Sequence, residues 1–310
     1  FTYSTWYKKS QPVTAAHLLW WQCTAIHSNA VVALSFPADP SLRLNLWTGS
    51  ASEADRYSTE KYRDPSAWMH FVWQWNGATL AMYMNGVLIN MSTSGNINGN
   101  SWGLQTGNIM RVSSADHADG DGYTAETYFI EGQTLAPSNF AELNEDTGQW
   151  VPIEYEGTFS GNSFYLDYAD SSDLGKDVSG LGNDFTVSGG IDANSQMIDT
   201  PTNNYCTMNP LDTYHAASST FSEGNLKVSE VGGSYQYTQV GNFGMSSGKW
   251  YFEFCGVDSD DTWMLGIADV AKGLSRGYTG TAGDGLYMYV DGDTYAPTST
   301  ASYGVSWTYG

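Results

Sequence analysis

Trp68-Met69-His70-Phe71-Val72-Trp73-Gln74-Trp75-Asn76-Gly77-Ala78-Thr79-Leu80-Ala81-Met82-Tyr83-Met84-Asn85-Gly86-Val87-Leu88-Ile89-Asn90 is the stretch that decides the fold. Trp68 to Trp75 is an almost unbroken apolar run of strand length, and Asn76-Gly77 is a strong hairpin signal. Leu80, Met82 and Met84 then alternate onto one face, and Asn85-Gly86 turns the chain into Val87 to Asn90. The turns of a three-strand antiparallel meander are thus written in the sequence.

Strand patterns continue outward from this centre at Phe1–Lys8, His17–Ala25, Ala30–Phe36, Leu42–Thr48, Gly107–Val112 and Ala125–Glu131. Gly, Asn, Pro and Asp punctuate them, as in a sandwich or barrel and unlike a parallel α/β sheet. Residues 136–148 hold the best helix candidate, with Ser138 as its cap and acidic residues behind it. Farther on, Ser246-Ser247-Gly248-Lys249-Trp250-Tyr251-Phe252-Glu253-Phe254 alternates Trp250, Phe252 and Phe254 with Tyr251 and Glu253. It predicts a half-buried strand, with Met264 to Ala268 following at hairpin distance. Glu253 is expected to be partly buried against a backbone group or an Arg.

Composition agrees with an all-β chain. Of 310 residues 15% are aromatic and only 15% charged, with 34 Gly, 12 Trp and 21 Tyr; disorder would lack the aromatics. The formal charge of -21, with 12 basic residues and no basic patch, argues against nucleic acid as a partner. Cys23, Cys206 and Cys255 are too few and too scattered for a disulfide framework or a zinc site, and Cys23 and Cys255 read as buried thiols. No apolar run approaches the roughly 18 residues of a membrane span, so no membrane insertion is expected. No signal peptide is visible. The chain opens at Phe1 inside a strand pattern, and both native termini are expected to lie outside this sequence.

Three regions resemble known families. The Trp68–Gly86 segment resembles the central hairpin of laminin-G-like (concanavalin A-like) jelly rolls. The Gly248-Lys249-Trp250-Tyr251-Phe252-Glu253 segment resembles the opening strand of SPRY (B30.2-like) domains. Between them, Gly157-Thr158-Phe159, Phe164-Tyr165-Leu166-Asp167, Ser179 to Phe185 and Asp199 to Asn204 fall in an order similar to a connector of tailed-bacteriophage structural proteins. There the connector joins a laminin-G-like to a SPRY-like domain. The resemblance implies two antiparallel β-sandwiches: a first at 1–150, a structured Gly/Asn/Asp-rich connector at 151–215, and a SPRY-like sandwich at 216–310 that is incomplete. It further implies a virion protein assembled in the host cytoplasm, either tail fibre, spike or capsid decoration. Its partners would be other virion proteins and a host cell-surface glycan or protein, and it would be a homo-oligomer, a trimer if a fibre.

Side chains of catalytic type do not assemble into a motif. The five histidines have no metal-ligand spacing, no Gly-x-Ser-x-Gly elbow occurs, and His70 reads as a packed strand residue. Glu154-Tyr155-Glu156 has the alternate spacing of a hydrolase carboxylate pair but sits beside Pro152 in the connector, where solvated charges are expected. Asp116, Asp119 and Asp121 form the densest oxygen-ligand cluster. They are the calcium candidates, the alternative being a solvated acidic turn; no other cofactor is expected. Trp102 is the candidate sugar-stacking platform, or else a strand anchor. The expectation is therefore a non-enzymatic adhesion or decoration protein, with a polysaccharide depolymerase and a secreted bacterial lectin as alternatives.

Overall fold

A computed structural model describes residues 1–10, 16–22, 30–37, 40–48, 52–77, 79–92, 109–113, 122–214, 219–230, 238–245, 247–256, 264–268, 285–289, 293–296 and 299–302. All its sheets are antiparallel, and its helical content among the described residues is limited to single 3-10 turns. The chain is all-β.

The N-terminal part is a sandwich. Its first strands are β1 (Thr2–Lys9), β2 (Ala16–Gln22), β3 (Ala30–Phe36), β4 (Arg43–Thr48) and β5 (Ser52–Tyr57). The meander supplies β6 (Met69–Trp75), β7 (Leu80–Met84) and β8 (Val87–Leu88). Then come β9 (Ile109–Val112), β10 (Gly122–Ile130), β11 (Ala141–Leu143), β12 (Trp150–Pro152) and β13 (Phe164–Leu166). One sheet has the order β13-β10-β1-β6-β7-β8, the other β5-β4-β3-β2-β9. Period-two alternation builds the core between them. Tyr3, Tyr7, Phe71, Trp73, Trp75, Met82, Met84 and Phe129 of the first sheet meet Leu34, Phe36, Leu44, Leu46 and Ala54 of the second.

The six-stranded sheet is buried on its other face as well. Every residue of β1 and β6 is buried, which explains the near-continuous apolar run from Met69 to Trp75. Val72, Tyr128 and Ile130 pack outward against Phe140 and Tyr155, and Trp6 packs with Trp68, Ala141 and Trp150. The covering layer is residues 137–159. The strand β13 adds an edge to the same sheet, pairing Phe164 with Phe129 and Leu166 with Thr127, so the sheet extends past residue 150.

The helix expected at 136–148 is replaced by a 3-10 turn at Pro137–Asn139 and a hairpin of β11 with β12. Asn144 is the reason: its Oδ1 accepts the amides of Asp146 and Thr147, and Gly148 closes the turn at φ +70°. The Asn85-Gly86 turn is the expected two-residue one, with φ of 49° and 78° and Met84 opposite Val87. The first turn is longer than its Asn-Gly suggests. Trp75 pairs with Leu80, leaving Asn76 to Thr79 as the loop, and the Thr79 amide donates to Asn76 Oδ1.

Residues 160–209 join this body through Phe164, Leu166, Tyr168 and Phe185 in the core and through polar contacts. Asp177 gathers the amides of Tyr165, Ser179 and Asn183 and the Ser179 hydroxyl. Burial works to raise its carboxyl, but these hydrogen bonds outweigh it and hold it below the usual range. Lys8 at the end of β1 forms a fully buried ion pair with Asp199 at 2.6 Å. Asn209 donates to the Ser10 carbonyl and accepts from the Tyr123 hydroxyl.

The remaining strands form smaller antiparallel pieces. The strand β14 (Met208–Tyr214) pairs with β17 (Thr238–Gly241), and β15 (Ser219–Ser222) with β16 (Lys227–Glu230). The last four, β18 (Met264–Ala268), β19 (Gly285–Tyr289), β20 (Asp293–Ala296) and β21 (Ser299–Ser302), form a meander. The strand expected over Trp250–Phe254 is absent. Trp250, Tyr251 and Phe252 are 54%, 82% and 53% exposed, and β18, their expected hairpin partner, pairs with β19. Glu253 is likewise exposed and accepts from the Tyr251 hydroxyl rather than from an Arg. Cys255, expected to be buried with these aromatics, is exposed with them.

Candidate functional site

Between Ser4 and Trp6 the register of β1 against β10 shifts, so Thr5 faces two residues, Glu126 and Thr127. This is a β-bulge, and the extra residue is Glu126 at φ +49°. A non-glycine residue in that region costs about 1 kcal/mol or more. The bulge inverts which side chains point outward. Tyr123 and Ala125 face the covering layer before it, Tyr128 and Ile130 after it.

Glu126 is half-buried where the covering layer meets β13. Its Oε2 accepts the Tyr165 hydroxyl at 2.5 Å and lies 3.5 Å from that of Tyr128. The two tyrosine rings stack at 4.0 Å and 8°. Tyr155 meets Tyr128 edge-on, and Phe159 meets Tyr155 the same way. Burial raises the Glu126 carboxyl; the tyrosine hydroxyls pull it back, and the charges of Asp167 and Glu154 push it further up. Tyr165 is raised far beyond the range in which a phenol ionises near neutrality, first by burial and then by Glu126 and Tyr128. The site thus combines a half-buried carboxyl that burial raises, the nearby charges of Asp167 and Glu154, and a stacked aromatic pair. Tyr128 is buried, so the half-buried Tyr165 is the ring that can meet a sugar or another flat apolar surface, with Glu126 beside it as the hydrogen-bonding group.

A second polar group lies under the covering layer. His70 Nε2 is 2.8 Å from Ser4 Oγ, and the Trp150 indole N–H donates to His70 Nδ1 at 3.0 Å. An indole only donates, so Nδ1 is the acceptor and the proton of the neutral ring sits on Nε2, donating to Ser4. A serine nucleophile needs the opposite polarity, with histidine accepting its proton. Trp6 stacks on the ring at 4.9 Å, and burial lowers the His70 pKa to about 3. The pair is a packing element, not a catalytic dyad.

Trp102, Asp116, Asp119, Asp121 and Cys23 lie outside the described residues. Among the described residues no group of three His, Cys, Asp or Glu side chains is placed to hold a metal ion. Glu154 and Glu156 are exposed, with Glu154 acting on Glu126 through its charge. Sequence reading missed Glu126, although its signal is present in Tyr123-Thr124-Ala125-Glu126-Thr127-Tyr128-Phe129-Ile130. The aromatic side chains that face outward change from odd to even positions across Glu126, which requires one extra residue.

No protein-family profile and no curated protein sequence matches the chain. Among solved structures, it is similar to a native heptameric SAP-like pentraxin from Limulus polyphemus, at 12% identity and a TM-score of 0.29. That likeness covers 41% of this chain and 61% of the pentraxin chain, less than two thirds of the latter's length. Among the described residues no helix is long and apolar enough to cross a membrane.

Proposed function

We propose that this chain is a non-enzymatic structural and adhesion protein of a tailed-bacteriophage virion, in a tail fibre, spike or capsid-surface appendage. It holds to other virion proteins and presents its sandwich to a host-surface glycan or protein. The observation that carries this reading is the junction between sandwich and connector. A protein that transmits force between a particle and a cell needs modules fixed to one another. Here residues 199–209 are anchored to β1 by the Lys8–Asp199 pair and by Asn209. Repetition of the chain on a particle would turn weak single contacts into avid ones. The Glu126–Tyr165 site is the ligand-facing candidate.

The test is binding of the labelled, purified chain to intact cells of the host strain. The wild type is expected to bind, and Tyr165→Ala to bind at least about tenfold more weakly, as for loss of an aromatic contact. Equal binding by both would remove the site from the account.

The depolymerase alternative is favoured by one observation: Glu126 is a half-buried carboxyl raised by burial, the character that the general acid of a glycoside hydrolase needs. It requires that capsular or alginate-like polysaccharide lose viscosity with wild type but not with Glu126→Gln. Retained viscosity with both is the outcome expected for an adhesin.

A further inference from the structure

Two buried side chains and a third at the surface, from distant parts of the chain, meet at one place. Lys8 and Asp199 are both 0% exposed, with Lys8 Nζ 2.6 Å from Asp199 Oδ2. The same nitrogen lies 2.8 Å from Asn204 Oδ1, across 196 positions of sequence, and 4.9 Å from the centre of the Phe243 ring. Asn204 Nδ2 donates to the Ser66 carbonyl at 2.7 Å, which fixes the carboxamide with its oxygen toward Lys8. Asp199 is held by the Trp68 indole at 3.3 Å and the Tyr205 amide at 3.2 Å. Asn204 itself lies at the solvent edge of the cluster.

A salt bridge alone does not require the carboxamide. An amine in contact with both a carboxamide and a carboxyl, beside Trp68 and Phe243, supplies the components of an amide exchange. We propose that the folded chain joins Lys8 to Asn204 by an intramolecular isopeptide bond, with Asp199 transferring the protons. Asp199 takes a proton from the Lys8 ammonium, leaving a neutral amine. The amine attacks Asn204 Cγ, one bond behind the oxygen it already contacts, and the Cγ–Nδ2 bond breaks. One of the two remaining Nζ protons passes to Nδ2, which leaves as ammonia; the ammonia takes up the proton held by Asp199 and departs as ammonium through the solvent edge. Nζ keeps one hydrogen as the new amide N–H, and Asp199 ends as it began, a carboxylate. No oxidant or cofactor is consumed.

The surroundings favour each step. Burial lowers the Lys8 pKa, with Asp199 opposing, so the neutral amine is more accessible than for a lysine in water. Contact at hydrogen-bond distance holds the amine and the carboxamide together, and such proximity supplies part of the rate. The Ser66 carbonyl holds the hydrogens of the leaving nitrogen.

Intact-mass spectrometry of the purified, folded 1–310 chain is the test, followed by proteolysis and tandem sequencing. The expected result is a mass lower than that of the sequence by one ammonia, with a branched peptide carrying both Lys8 and Asn204. Lys8→Arg and Asp199→Asn are expected to restore the full mass. Should either variant fail to fold, the wild-type measurement decides alone. The full sequence mass in folded wild type would overturn the proposal. So would loss of one water with Lys8 joined to Asp199, and so would an ammonia loss mapped to a succinimide at Asn76 or Asn85.

Discussion

His70 shows how one side chain sets a pH limit. The folded ring is held neutral by burial, with a pKa near 3, whereas an unfolded histidine titrates near 6.5. Below about pH 6.5 the unfolded chain therefore takes up a proton that the folded chain refuses, and stability falls with pH until the folded ring titrates. The slope is about 1.4 kcal/mol per pH unit for a single group. Urea titrations at pH 7 and pH 5 should show wild type losing roughly 2 kcal/mol more than His70→Gln over that interval. Parallel losses in the two proteins would place the proton elsewhere. The packed character of His70 was legible between Met69 and Phe71, but its partners were not. Ser4 and Trp150 are 66 and 80 positions away, and no local pattern encodes such a meeting.

At the scale of elements, turn chemistry was the most legible feature. Asn85-Gly86 specifies a tight turn because both residues must adopt positive φ. Gly86 has a second duty: a Cβ there would lie 3.1 Å from the Trp150 ring, whereas one at Gly77 would meet nothing within 4 Å. Gly77→Ala should cost about 1 kcal/mol for backbone strain alone, and Gly86→Ala about 1–2 kcal/mol more as Trp150 is displaced. Chemical denaturation of the two variants checks the order; equal losses would mean that Trp150 yields freely. The helix expected over 136–148 shows the opposite case. Ser138 and the acidic residues after it are helix-start signals, but the Asx turn at Asn144 and the burial of Phe140 and Ala141 against the sheet outweigh them. Strand β5 was unread because Glu53, Asp55 and Arg56 break any apolar alternation, and among its described side chains only Ala54 joins the core. The Trp250–Phe254 alternation misled, since it reads as a strand that does not form; the pairing of β18 with β19 was not legible, because it depends on residues far along the sequence.

The molecule as a whole depends on its covering layer. Val72, Tyr128 and Ile130 are each at most 1% exposed, and all three face residues beyond β10. Uncovering them would forfeit about 1.5–3 kcal/mol per side chain, which together approaches the whole stability of an ordinary domain. A chain ending at residue 150 also loses β13. It should aggregate or unfold without a cooperative transition, while a chain ending at residue 245, which keeps β13, Asp199 and Asn242, should unfold cooperatively. Size-exclusion chromatography and urea titration of the two chains make the comparison. Cooperative unfolding of the shorter one would contradict the layered account. The all-β class and the first sandwich were legible in strand alternation. The buried Lys8–Asp199 anchor was not, because Lys8 reads locally as the charged end of a strand. The proposed role is tested most directly by immunogold electron microscopy of purified phage particles with antibody raised against residues 1–310. Label on the virion, at the distal tail for an adhesin or over the head for a decoration protein, is the expected result. Particles that carry no label anywhere would contradict it.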